Sequence, residues 1–366
     1  MAEPAGRFGH ADLRAAVAAG MLSEAQAASV TALAQDRAGM RAAMPAEDEP
    51  FEFFKGFSEI FISVGLVILL TGISATLALL GGFAMLVALP LVTAGIAWWW
   101  AGYFTLKRRM NLPSMVLASA FGGGLVLGSF TLLGGPDGAM RMPVVSGFLI
   151  GAAGMALWYR RFRLPFSMFI LGLCLLAAVY ALTASVDELD GAVGDGSWGI
   201  EGLFDLRESP AFALATLGFG IAAFLAAMWF DLKDRYRLGR HAATAFWLHM
   251  LAAPALVNTV ALTLYNVGGG AGIAGLSVAL AGIAVLALVI DRRSFLTAAI
   301  GYIAVLIAWL VRGEDGDFSS WTFVLILLGA VITALGTWWV PLRAALMRAL
   351  PDFPGKDRLP PYAETE

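Results

Sequence analysis

The sequence is short of the groups on which most biochemistry depends. Of 366 residues only 51 are charged, or 14%, against about a quarter in an ordinary soluble domain. There is one cysteine, Cys174, which excludes a disulfide framework and a cysteine-based zinc site. Three histidines, His10, His241 and His249, are too few to assemble haem ligation or a zinc centre with that cysteine. No glycine-rich loop precedes a lysine, and no nucleophile elbow occurs. The net charge of −3 leaves no basic domain to neutralise a phosphate backbone, so no nucleic-acid partner is expected. No cofactor, no metal and no enzymatic activity are expected either.

What the chain has instead is apolar residues, 59% of the total, gathered into uncharged runs of about twenty. Ten runs have the length of a membrane span: 58–80, 82–104, 113–134, 142–159, 164–184, 210–230, 243–267, 271–290, 294–311 and 320–340. They lack period-2 alternation, so a bundle of about ten transmembrane helices is expected rather than a barrel. Glu59 is the one charged residue within them, one position from the start of the first. Even span number puts both termini on one side. Counting Lys and Arg along the alternation assigns 21 to that side and three, Arg141, Arg207 and Arg312, to the other. The positive-inside rule then makes both termini cytoplasmic in a bacterial inner membrane, with the lipid bilayer as the first partner. Seven tryptophans, among them Trp98, Trp158, Trp229 and Trp339, fall at the expected cytoplasmic ends, as an interfacial belt would.

Three regions are expected: residues 1–50 as a cytoplasmic helical hairpin and linker, 51–341 as the transmembrane domain and 342–366 as a tail. In the hairpin, helix-forming residues 11–19 stop at Gly20, and Ser23 with Gln26 three residues later offers a capping box for a second helix. Its apolar stripe is thin, so a cytoplasmic protein partner is expected to dock on residues 10–42. Phe51, Phe53, Phe54 and Phe57 read as an interfacial lead into the first span. The loop 185–209 is acidic without the ligand spacing of a calcium loop, and reads as a solvated surface or a loose cation site.

Polar residues inside spans are the functional candidates, because lipid makes them expensive. Glu59, Ser63 and Ser74 share one face of the first span and could line a pathway or mediate helix contact. His249 lies about two turns into the seventh span, between Trp247 and Pro254, and could relay a proton or bond a neighbouring helix. Asn258, nine residues on, faces the other way. Gly124-xxx-Gly128 and Gly147-xxx-Gly151 permit close helix approach, within the chain or in a homo-oligomer. Arg108-Arg109-x-x-Leu112-Pro113 recurs as Arg160-Arg161-x-x-Leu164-Pro165, from hairpin duplication or from the shared demands of an interface.

The run Asp48-Glu49-Pro50-Phe51 through Phe61, the segment Ala245-Phe246-Trp247-Leu248-His249 through Pro254, and Arg358-Leu359-Pro360-Pro361 resemble a family of uncharacterised bacterial multi-pass inner-membrane proteins with a short amino-terminal helical hairpin. The resemblance implies a multi-pass bacterial protein and carries no activity. Two functions are expected to compete: a permease of a small or lipid-like solute, and a non-transporting scaffold or sensor whose hairpin binds a partner.

Overall fold

Long uncharged runs of Leu, Ala, Val, Ile and Phe can satisfy their backbone groups in lipid only as helices. A computed structural model of the chain bears this out. It describes residues 13, 16–17, 19–37, 56–133, 141–185, 204–234, 237, 240–312, 320–360 and 362. Among these the chain is helical, with no strand. The linker 45–50, the aromatic lead 51–55, most of the acidic loop 185–209 and the loop around Glu314 lie outside the described residues.

The helices are α1 (Glu24–Arg37), α2 (Phe57–Ala101), α3 (Leu112–Leu133), α4 (Arg141–Phe162), α5 (Phe166–Thr183), α6 (Pro210–Asp231), α7 (Arg240–Val267), α8 (Gly269–Ile290), α9 (Ser294–Arg312), α10 (Ser320–Thr337) and α11 (Trp339–Ala349). Among the described residues seven stretches are long and apolar enough to cross a membrane: the first part of α2, Phe57–Leu79, and α3 to α8. Leu325–Thr337 of α10 and Trp339–Ala349 of α11, bent by 70° to each other, make an eighth when counted as one broken span. The expected segments 82–104 and 294–311 are not among these eight. Large apolar side chains face outward along the bundle, Leu79 at 85% and Val278 at 74% exposure, as in a protein surrounded by lipid rather than water. This is a membrane-embedded, multi-pass helical protein.

Helix α2 is not straight. Nineteen residues of straight helix span about 28 Å, yet the hydroxyls of Ser74 and Thr93 are 3.1 Å apart. The chain therefore doubles back between them, and Leu66 and Leu70 of one arm share a core with Ala94, Ala97 and Ala101 of the other. At Gly81, near the reversal, an added Cβ would meet Met85 Cβ at 2.2 Å.

The two glycine pairs work inside the chain. A Cβ on Gly124 would strike the Pro90 carbonyl at 2.4 Å, and one on Gly128 would strike Leu91 at 2.5 Å. Gly151 meets Val126 and Cys174 in the same way. The small residues thus draw α2, α3 and α4 together by dispersion contact. The Arg-Arg-x-x-Leu-Pro copies are not equivalent locally. The first follows a π-helical turn, Gly102–Lys107, and puts Arg109 in the left-handed region (φ 51); the second stays α-helical to Phe162, with Arg163 left-handed (φ 53). That difference favours shared interface chemistry over duplication.

The hairpin cap is as expected. Gly20 is left-handed (φ 72), the Ser23 hydroxyl accepts from Gln26 N–H at 3.2 Å, and Gln26 Oε1 accepts from Ser23 N–H at 2.9 Å.

Candidate functional site

The helix ends that carry most of the basic residues meet at one end of the bundle, and two different interiors form there. On the α2–α5 side the interior is aromatic. Trp98, Phe121, Trp158 and Phe162 pack with ring centroids 4.5–5.6 Å apart. Trp158 is fully buried, and Trp339 is 3% exposed, so neither belongs to an interfacial belt; Trp99, Trp229 and Trp338 face outward and do.

On the α6–α11 side the interior is ionic. Asp231 is the last residue of α6, where free carbonyls already make the environment negative, so its carboxylate requires cations. Arg292, in the three-residue turn between α8 and α9, supplies one: its Nη2 bonds Asp231 Oδ1 and its Nε bonds Oδ2 at 3.1 Å. The third partner is His249, whose Nε2 lies 2.9 Å from Asp231 Oδ2. His249 and Arg292 have no exposed surface, and Asp231 is 6% exposed. The imidazole is wedged between the rings of Phe224 and Phe295, with centroids 5.7 and 5.8 Å away.

A second carboxylate lies beside the first. Asp291 closes α8 in the left-handed region (φ 58), a conformation Asp tolerates, and its side chain turns back under the helix. It binds Arg237 Nη1 at 3.0 Å and accepts from the Trp339 indole N–H at 2.7 Å. Arg343 of α11 approaches to 3.7 Å. Three guanidinium groups thus face two carboxylates. Backbone carbonyls accept further donors: Ala242 from Arg292, Ile290 and Asp291 from Arg237, Leu288 and Pro360 from Arg343. These bonds tie α6, α7, α8, α11 and the segment up to Pro360 to one centre.

The cluster can do more than hold helices together. His249 Nδ1 and Arg292 Nη1 are buried with no hydrogen-bond partner among the described residues, as is the Ser294 hydroxyl. An imidazole with one nitrogen on a carboxylate and the other unengaged can hold or pass a proton. Protonating Asp231 would release Arg292. No group of three or more metal-ligating side chains occurs among the described residues.

The expected site residues are dispersed. Glu59 is buried on the other side of the bundle, its Oε2 accepting from the N–H groups of Asn111 (3.0 Å) and Leu112 (3.1 Å), and so caps α3 from another helix. Ser63 donates to the Glu59 carbonyl at 2.7 Å, and Ser74 pairs with Thr93. His249 alone lies in the ionic cluster. Asn258, half-buried on α7, stands apart from it.

Asp231, Asp291, Arg237, Arg292 and Arg343 escape sequence reading because each lies at or just beyond a span boundary, where charges count as solvated. The available signal was loop length: three residues, Asp291–Arg293, separate α8 from α9, too few to carry their charges away from the packed helix ends.

At the opposite end the basic residues also serve the fold. Arg141 donates to the Ala184 carbonyl just past α5, and Arg207 donates to Asn266 at the end of α7. Asp205, outside the spans, accepts from Asn266 Nδ2 at 2.6 Å and from Arg207 N–H at 2.8 Å. These bonds, that to Asn266 foremost, hold its carboxyl below the usual carboxylate range.

Set against family models, curated proteins and solved structures, the chain finds no match in any of the three.

Proposed function

We propose that this protein is a permease for a small or lipid-like solute, with the Asp231–His249–Arg292 cluster as its protonatable latch. The observation that carries the reading is a carboxylate, an imidazole and a guanidinium buried together in a bundle otherwise poor in charge, with His249 Nδ1 unengaged among the described residues. Ionisable groups at such a position are costly, and a coupling role accounts for the cost. In this reading the neutral imidazole takes a proton at Nδ1, Asp231 stabilises the imidazolium, and its hold on Arg292 weakens. That change frees α8 and α9 against α6. The full topology in this proposal has ten spans, including 82–104 and 294–311, with both termini cytoplasmic in a bacterial inner membrane.

The test is flux through proteoliposomes under an imposed pH gradient. Interior pH is followed with a trapped dye, and lipid exchange with dithionite quenching of a labelled phospholipid. Protein-dependent flux of protons or lipid that falls at least about tenfold in Asp231→Asn and in His249→Phe supports the reading. Wild-type protein with no flux of either kind sinks it.

A scaffold or sensor is favoured by a different observation. The hairpin leaves Met21 at 78% and Val30 at 43% exposure, an apolar surface uncovered among the described residues. Deleting residues 1–45 separates the two: a permease keeps its flux, whereas a scaffold inserts normally and loses its function.

A further inference from the structure

Where the chain enters the bundle, between the amino-terminal hairpin and the α2–α3 loop, lies a cleft of about 480 Å³. Ser23 lines it from the hairpin, Gly56 and Ser58 from the start of α2, and Arg108, Arg109 and Met110 from the loop. Its volume is within the range of small-ligand sites. Its polar chemistry is one-sided. Arg108 and Arg109 are exposed, and neither forms an ion pair among the described residues. Glu59 also borders the cleft, but its Oε2 is committed to the N–H groups of Asn111 and Leu112. Beside that carboxylate the cleft offers two guanidiniums, with the Ser58 and Ser23 hydroxyls as further donors, which suit a phosphate ester.

The backbone holds the arginines in place at a cost. The π-helical turn Gly102–Lys107 ends in Arg108, and Arg109 follows at φ 51, a conformation that Gly or Asn would adopt with less strain. Exposed aromatic side chains lie on the same elements as the cleft lining: Phe57 is 70% exposed, Phe61 67% and Tyr103 47%. Phe57 and Phe61 stack edge to face at 5.1 Å on the outward side of the first arm of α2. Phe57 adjoins Ser58 of the cleft lining and the Arg108 guanidinium lies 5.9 Å over the Tyr103 ring, so exposed aromatic surface borders the cleft as a wall suited to acyl chains. A soluble phosphate would have no use for that wall.

We propose that this cleft binds the headgroup of an anionic phospholipid, its phosphate on Arg108 and Arg109 and its chains along Phe57 and Phe61. The site is independent of the flux proposed above, since a lipid held here can be a fixed ligand. It is tested on the full chain in detergent by native mass spectrometry, with phosphatidylglycerol, phosphatidylcholine and glycerol 1-phosphate as probes. The variant is Arg108→Gln with Arg109→Asn, which removes both charges and keeps a residue tolerant of the left-handed backbone. Its control is Arg160→Gln with Arg161→Gln, an equal loss of charge in the last turn of α4. Protection of the buried Cys174 thiol from labelling reports that each variant is folded. The expected result is preferential retention of phosphatidylglycerol by the wild type and the control, weakened about tenfold in the Arg108/Arg109 variant. Equal retention of phosphatidylcholine, wild-type retention by the variant, or glycerol 1-phosphate binding as tightly as the lipid would each overturn the proposal.

Discussion

The α2–α5 and α6–α11 sides of the bundle solve one packing problem with opposite chemistry. Each must close its basic end, where helix carbonyls run out of partners and lipid gives way to water. The first side does it with Trp98, Phe121, Trp158 and Phe162, a plug held by area and ring geometry. The second side does it with Asp231, Asp291, His249 and three arginines, held by charge and directed hydrogen bonds. An aromatic plug degrades gradually as it is trimmed. A buried ion cluster fails abruptly, because removing one partner leaves the other charged and unsolvated. The difference teaches that one side depends on contact area and the other on matched charge.

The largest expected effect breaks the ionic side. Asp231→Ala strands Arg292 at zero exposure and should cost about 3–5 kcal/mol. Thermal unfolding read by labelling of Cys174, buried and the only cysteine, measures it. Adding Arg292→Leu to Asp231→Leu should recover most of that loss, since an apolar replacement of similar volume no longer buries a charge. Recovery of stability without recovery of flux would separate the latch from the staple.

Next in size is a break on the first side. Gly124→Ala forces a methyl against the Pro90 carbonyl and should cost about 1–3 kcal/mol in the same assay. Gly123→Ala is its neighbouring control, with nothing within 4 Å of the new Cβ. A third variant sharpens the contrast. Trp158 Nε1 is buried with no hydrogen-bond partner among the described residues, so Trp158→Phe gives up ring area but removes an unmet donor. The net change should be about 1 kcal/mol or less. A fall as large as that of Asp231→Ala would show that the aromatic side too depends on a polar contact.

The smallest effect lies at the other end of the bundle. Asp205 has its carboxyl held below the ordinary value, so the stability it contributes is present at neutral pH. That contribution is lost as pH falls through the folded-state pKa, below the ordinary carboxylate value of about 3.9. The Leu206 amide, which donates to Thr263 at 3.0 Å, should keep its hydrogen-exchange protection at pH 7 and lose part of it near pH 3. Asn266→Ala should weaken that protection already at pH 7.

Much of the architecture was legible because it depends on local quantities. The ends of α3, α5, α7 and α8 lie close to those read from apolar run length. Gly20 and the Ser23–Gln26 box cap the hairpin as their residue types require. The candidate site was less legible. His249 stood out as an imidazole inside an apolar run, but its partners did not, since Asp231 is 18 residues before it and Arg292 is 43 after it. Glu59 and the serines looked like a pathway on a helical wheel. In the folded chain Glu59 caps α3, and Ser74 reaches across the fold of α2 to Thr93, a contact no single helix can reveal.

Read alone, the chain of amino acids determined that this protein is a membrane-embedded helical bundle. Transfer of a run of twenty apolar residues out of water is a sum of local terms, and the segregation of all but one of 51 charges from those runs is visible without any partner. Tertiary structure decided which of the boundary charges meet water and which meet each other. Arg237, Arg292 and Arg343 look the same in sequence as Arg108 and Arg109. They become a buried cluster only because the ends of α6 and α8 and the first half of α11 meet at one point, and Coulomb energy depends on distance in space, not along the chain.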